Sequence, residues 1–399
     1  MKIKSAAILA AAALLVTALA GCSAPSHRTA AGPTSTSLPK PSSPITLHIL
    51  DVSGDLNTSK PIIQAFAKAN PKLVDSIQFE TGSAPDVVGK VQAEQQAGRV
   101  DIDMILTGPL ALAQMAGQKQ LVKVLPTYSS HLPDLDKTLT PAAKDFSTLA
   151  NGYGVITSGG GWAGPIWAYN KAKVTDPPKT PQALLAWAKA NPGKFVYANP
   201  TSGSGPANAF IDALPYMLKD KDPGDPINGW DKTWAYLKEL NQYIARYPSS
   251  TSPTFVGLGD GTYDLAASEA GWDLLEHSTK VLGSSYGIYA FDHPILSSDG
   301  HFIAVPKGVP ASHITVDLAL ASWLLKPQHA AQGYATSNVF PAKGVELSMA
   351  APDVQAAAKS YYGLSLFSKL DKARTTLPLN GDKVQAMYDK WNQLIGSQK

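Results

Sequence analysis

The run Tyr197-Ala198-Asn199-Pro200-Thr201-Ser202-Gly203-Ser204-Gly205 sets two serines and two glycines in a turn that opens a helical pattern. The first N–H groups of a helix have no partner inside it, and the helix dipole makes that end positive. Such a turn suits an anion or the polar edge of a small ligand, with Ser202, Gly203 and Ser204 as the contacts. The same serines could instead cap the helix. Trp272 offers other chemistry, because an indole face stacks on planar or cationic groups, and it could equally fill a core.

Other reactive patterns lead away from catalysis. The run at Ser204 begins with Ser202 rather than the glycine of a hydrolase nucleophile turn. The Ser-x-x-Lys at Ser37-Leu38-Pro39-Lys40 lies in a Ser/Pro-rich stretch that cannot hold a nucleophile in place. Glu276-His277 stands without the second histidine of a zinc helix, and no phosphate-binding G-x-x-x-x-G-K-S/T occurs. Asp220, Asp222, Asp225 and Asp231 lack the glycine and the bidentate Glu of a calcium loop. No metal, cofactor or catalytic residue is expected.

The elements that must position these residues alternate apolar runs with helical patterns, as in an α/β protein. A strand is expected over 45–50, followed by a small polar loop over 51–58. Pro61 suits the first turn of the next helix, where Ile62, Ile63, Phe66 and Ala67 recur at helical spacing. A second strand ends at Phe79-Glu80, a helix spans 87–97, and a third strand spans 102–106. Ser53, Ser83 and Thr107 therefore fall on loops at the carboxyl ends of three strands, where open α/β sheets bind ligands. Val384, Met387, Tyr388, Trp391 and Leu394 mark an amphipathic C-terminal helix.

Cys22 is the sole cysteine of 399 residues and follows Leu19-Ala20-Gly21, after a basic start at Lys2 and Lys4 and an apolar stretch over 6–18. That stretch is shorter than the roughly 20 residues that span a bilayer. The segment resembles the signal of bacterial lipoproteins, which implies cleavage before Cys22 and acylation of its thiol and new amino terminus. Residues 23–44 are rich in Ser, Thr, Pro, Ala and Gly, the composition of a disordered spacer. The remainder is long enough for two lobes. The formal charge of +3 falls to +1 without Lys2 and Lys4. That argues against a nucleic-acid partner, which would favour a basic stripe.

From residue 45 onward the chain resembles the solute-binding proteins of ABC importers, specifically the type II periplasmic-binding-protein fold. Val100-Asp101-Ile102-Asp103-Met104-Ile105-Leu106 is similar to the strand before a ligand loop. Gly164-Pro165-Ile166-Trp167-Ala168-Tyr169-Asn170-Lys171 is similar to the entry into the second lobe, and His301-Phe302-Ile303-Ala304-Val305-Pro306-Lys307-Gly308 to the return strand. The helix over 314–325, Pro327-Gln328-His329-Ala330-Ala331-Gln332 and Val339-Phe340-Pro341-Ala342 follow in the same order. The turn over 197–205 resembles the branch that takes iron, thiamine or polyamines. Ferric-binding members carry an adjacent tyrosine pair where this chain has Trp272, and Tyr361-Tyr362 lies in a different pattern, so iron is disfavoured.

The resemblance implies two lobes, each a mostly parallel sheet flanked by helices, with a ligand cleft between them. The expected organisation is a signal peptide over 1–21, a lipidated Cys22 and disordered spacer over 22–44, lobe 1 over 45–157 and 304–348, and lobe 2 over 158–303 and 349–399. Gly159-Gly160-Gly161 would permit rotation at the crossing. Trp167, Ser202, Gly203, Ser204 and Trp272 would face Ser53, Ser83 and Thr107 across the cleft. A cationic ligand would use aromatic walls and carboxylates such as Asp264 or Glu80, an anion the serine-rich turn, and a sugar both aromatics and hydroxyls. The implied partners are a small polar solute, the permease and ATPase subunits of an ABC importer, and the membrane through the lipid anchor. The implied protein is an exported, membrane-tethered monomer. The alternative is an exported hydrolase or surface interaction protein on a similar scaffold. Cys22→Ser is expected to release the protein from membranes or to trap an uncleaved precursor; membrane fractionation and lipid labelling that match the parent would contradict the lipoprotein reading.

Overall fold

The computed structural model describes residues 28–30, 37–52, 54–82, 84–337 and 339–399. The signal segment, Cys22, Ser53 and Ser83 lie outside the described residues.

The strands are β1 (Ile45–Asp51), β2 (Val74–Thr81), β3 (Met104–Thr107), β4 (Gly154–Gly164), β5 (Ile166–Asn170), β6 (Phe195–Val196), β7 (Leu265–Ser268), β8 (Tyr286–Tyr289), β9 (Ile295–Ala304) and β10 (Arg374–Thr376). The helices that matter for the site are α1 (Leu56–Ala69), α2 (Ala84–Gln96), α3 (Pro109–Gly117), α4 (Gly205–Met217), α5 (Thr251–Gly259), α6 (Trp272–Ser278), α7 (Ala311–Leu324) and α8 (Gly381–Leu394). One sheet runs β10-β9-β3-β1-β2 with β4 also paired to β9, and a second runs β6-β7-β5-β8. Two lobes result, as expected.

The sheets are mixed rather than mostly parallel. β1 pairs in parallel with β2 and β3, whereas β9 runs antiparallel to β3 and β4. In the second sheet β5 is antiparallel to both β7 and β8, and only β6–β7 is parallel. The cause is the route of the chain. β9 comes back from the second lobe and therefore runs antiparallel to β3 and β4, while β10 joins it in parallel.

The first lobe packs Leu47, Ile49, Met104, Ile105, Phe302 and Ile314 into one core. α1 begins at Leu56, ahead of the start that Pro61 suggested, because Asp51 accepts hydrogen bonds from the backbone N–H groups of Gly54, Asp55 and Leu56. That carboxylate satisfies donors the helix itself leaves open. In the second lobe Trp167, Phe195, Phe210 and Trp391 share a core. Met387, Tyr388 and Trp391 are the buried face of α8, the stripe visible in the sequence.

The crossing is a two-stranded ribbon. β4 pairs with β9 from Gly154↔Ala304 to Gly164↔Ser297, with irregular register around Gly159 and Gly161. Gly159 and Gly160 have positive φ, and a Cβ on Gly159 would lie 2.6 Å from the Asp299 carbonyl oxygen. These glycines thus permit a bulged ribbon with close backbone approach. Residues 158–164, 295–303 and 374–376, assigned to lobe 2 from the sequence, contribute strands to the first sheet, because pairing along β9 draws them in.

The stretch over 22–44 is not spacer throughout. Thr29 bridges Arg99, and Leu38 is buried in the first-lobe core. Arg28 Nη1 donates to Asp103 Oδ1 at 2.5 Å, and Nη2 donates to the Asp101 carbonyl at 2.7 Å. His313 Nδ1 lies 2.8 Å from the same Asp103 oxygen. Burial alone would raise the Asp103 pKa, but the hydrogen bonds from His313 and Arg28 outweigh it and hold the carboxyl below its usual range. Composition missed this because one arginine finds its partner 75 residues away.

Arg28→Ala is expected to lower the unfolding free energy by roughly 1–3 kcal/mol, the order of a hydrogen bond to a charged group or of a polar group left unpaired. Because the folded pKa of Asp103 is depressed, this contribution is present above the unfolded carboxylate pKa and is lost as pH falls through the folded value. Urea unfolding at neutral and acid pH checks it. A chain beginning at Ser43, which lacks Arg28 and Leu38, should show at least the same loss, and stability equal to the full-length protein would contradict this role.

Candidate functional site

A cavity of about 660 Å³ opens between the lobes, with a side chamber of about 110 Å³ beside it. Gly54, Glu269, Trp272, Asp299 and His301 line both. The first lobe brings Val52, Gly54 and the start of α3 at Gly108 and Pro109; the second brings the turn before α4 and the end of β7.

The turn before α4 is built by its own polar groups. Asn199 Oδ1 accepts from the Thr201 N–H and hydroxyl, and Ser202 Oγ donates to the Asn199 carbonyl. Gly203 has φ +79°, a left-handed conformation that glycine adopts without strain. Ser204 occupies the N-cap position, yet its side chain makes no cap; its hydroxyl meets Thr251 Oγ1 at 2.8 Å. Simple capping therefore does not account for the serines. The end of α4 faces the cavity.

Glu269 follows β7 and sits against Gly205, the first residue of α4. A Cβ on Gly205 would lie 1.9 Å from Glu269 Oε1, so any side chain there would push the carboxylate from this position. Glu269 is 3 % exposed and its Oε2 has no partner. Burial pushes its pKa well above the usual range, and the charge of Asp299 adds to the effect. Asp212, farther along α4, also lines the cavity with Oδ1 unpartnered, and burial raises it to about 7. His301 Nδ1 lies 3.0 Å from Asp55 Oδ1, and its Nε2 lies 3.8 Å from Asp299 Oδ2. Burial alone would lower His301, but Asp55, with Asp299 and Asp51 beyond it, carries the imidazole up to about 10. At neutral pH it is a cation already held between carboxylates.

Of the residues expected from the sequence, Ser202, Gly203, Ser204 and Trp272 come together at the cavity. Thr107 does not line it. It is the fully buried last residue of β3, and the next two residues, Gly108 and Pro109, take the expected place. Trp167 is a correction. It is fully buried, stacked on Phe291 with centroids 4.6 Å apart and edge-on to Phe210 at 5.2 Å, so it fills the second-lobe core. Asp264 and Glu80 line neither chamber.

Glu269, Asp212, Asp299 and His301 escaped the sequence reading. Asp212 left a signal, a lone acid inside the apolar run Ala209-Phe210-Ile211-Asp212-Ala213-Leu214. Gly283-Ser284-Ser285-Tyr286-Gly287, also overlooked, has the spacing of a hydrolase nucleophile turn. Ser285 is exposed and leads into strand β8 rather than into a helix, so it lacks the strand-to-helix turn that spacing needs. Asp220 accepts from the backbone of Lys232 and Thr233 at the start of the helix Asp231–Asn241, and Asp225 accepts from Ile227 and Asn228. These acids brace turns.

The family model described as bacterial extracellular solute-binding protein matches residues 61–359. Protein YnjB of Escherichia coli (strain K12) is 28 % identical over 298 residues, 69 % of this chain and 70 % of YnjB. Among solved structures, the spermidine/putrescine ABC transporter substrate-binding protein PotD of Streptococcus pneumoniae superposes with a TM-score of 0.63 at 15 % identity, covering 89 % of this chain and 99 % of PotD. The bacterial solute receptor AcbH, whose described preference is β-D-galactopyranose, gives 0.65 at 14 % identity over 89 % of this chain and 94 % of AcbH.

Proposed function

The chain belongs to the bacterial extracellular solute-binding proteins, and on that premise we propose that it captures a small polar solute between its lobes and hands it to the permease of an ABC importer. The observation that carries this reading is the cavity of about 660 Å³ walled from both lobes, with the open end of α4 on one side and Gly108 and Pro109 on the other. Binding and release need no covalent step. A solute that touches both walls favours the closed arrangement by its differential affinity for it. The ATPase subunits of the importer then supply the energy, consistent with the missing phosphate-binding loop.

The protein is exported and tethered by acylated Cys22, acting as a monomer. Support comes from the sequence over 1–22 and from the exported character of the family.

Native mass spectrometry of gently purified protein should show a retained small molecule. Trp272→Ala should weaken its rebinding by roughly 1–3 kcal/mol with little loss of Tm, since Trp272 stands half-buried on the cavity wall. Unchanged affinity with a much lower Tm would make Trp272 structural. A protein that retains nothing and binds none of a broad solute set would contradict solute capture.

A further inference from the structure

Glu269 and Asp212 are buried carboxylates that line the cavity, and each has an oxygen with no partner. Most buried polar groups in folded proteins are paired, because an unpaired one costs free energy and an unpaired charge costs more. Two such groups on one cavity wall point to a ligand that pairs them. Among the described residues lining the two chambers there is no Lys or Arg, and the one cationic side chain, His301, is engaged by Asp55 and Asp299. The chambers thus hold more carboxyl groups than cationic side chains.

Resting on the solute-capture reading above, we propose that the solute is a small organic cation whose charged nitrogen docks on Glu269, in the part of the cavity that Trp272 also lines. Glu269 and Trp272 belong to both chambers, so a group bound there meets a carboxylate and an indole face together, the pairing that recognises ammonium-type cations. Asp212 supplies a second station. It lies two turns along α4 from Gly205, which Glu269 abuts, or about 10 Å away. A molecule with nitrogens at both ends can reach the two carboxylates.

Docking exchanges the cation for a proton. In the empty site Glu269 faces Asp299 and His301 of β9, Asp273 of α6 and the amino end of α4, and burial favours its protonated form. A cation favours the carboxylate, so binding releases the proton, and affinity rises with pH until the empty site is itself ionised.

The test uses 1,4-diaminobutane and choline as cations, D-galactose as a neutral solute and citrate as an anion, with calorimetry in two buffers of different ionisation enthalpy. The expected result is that a cation binds with release of a proton near pH 7. Glu269→Gln, which keeps shape and hydrogen-bonding capacity but not charge, should then bind it at least tenfold more weakly, with less proton released than the parent and Tm unchanged or raised. Asp212→Asn should weaken 1,4-diaminobutane more than choline, and it remains informative if the Glu269 variant fails to fold. A cation that binds the Glu269→Gln protein as tightly as the parent overturns the proposal. Binding of D-galactose or citrate with no cation bound overturns it too, but leaves solute capture standing. No binding of any probe, with no solute retained on purification, overturns both.

Discussion

Strand β9 pairs with β3, β4 and β10 at once, and the arrangement of the molecule depends on those hydrogen bonds. Its carboxyl end is stitched into the first sheet at Phe302, Ile303 and Ala304, where side chains are buried in the first-lobe core. Its amino-terminal half runs beside β4 toward the second lobe. The stretch between carries Ser297, Ser298, Asp299 and His301 to the cavity. One strand thus joins the lobes and lines the site between them. A shift of one residue in its register would turn every one of those side chains to the other face.

The electrostatics of the cleft follow from how carboxylates meet helix ends and one another. Asp51 is spent on the start of α1, and that start sets Asp55 beside His301. Asp55 in turn holds the imidazole protonated and engaged, and no Lys or Arg stands among the described residues that line the chambers. Glu269 rests against Gly205, where a side chain would displace its carboxylate. Together these contacts produce a wall with buried carboxyl groups and, among the described residues, no Lys or Arg to pair them. In a low-dielectric pocket such a wall favours ligands of opposite charge more strongly than it would in water.

Much of the fold was legible because the α/β alternation is local. Apolar runs at 45–50 and 102–106 became β1 and β3, and the loops after them face the cleft. The turn at Ser202, Gly203 and Ser204 was legible because its glycines and hydroxyls have few structural uses other than a tight helix entry. Trp167 misled because residue type does not reveal which face of β5 is covered, and Phe210 and Phe291 cover the one that bears its indole. Strand direction was hidden as well, since antiparallel return along β9 is decided by distant partners. Arg28 and Glu269 were missed for a shared reason: each acts through a residue far off in sequence, Asp103 in one case and Gly205 in the other.

Solute capture by lobe closure is the central claim, and a distance across the cleft tests it most directly. Spin labels at Lys68→Cys on α1 and Lys189→Cys in the helix Pro181–Ala190, both exposed, can be placed in a Cys22→Ser chain that has no other thiol. Double electron–electron resonance should show a longer distance in the emptied protein and a shorter, narrower one once the retained solute is added back at saturation. One unchanged distance with solute demonstrably bound would contradict closure as the means by which this protein holds its ligand.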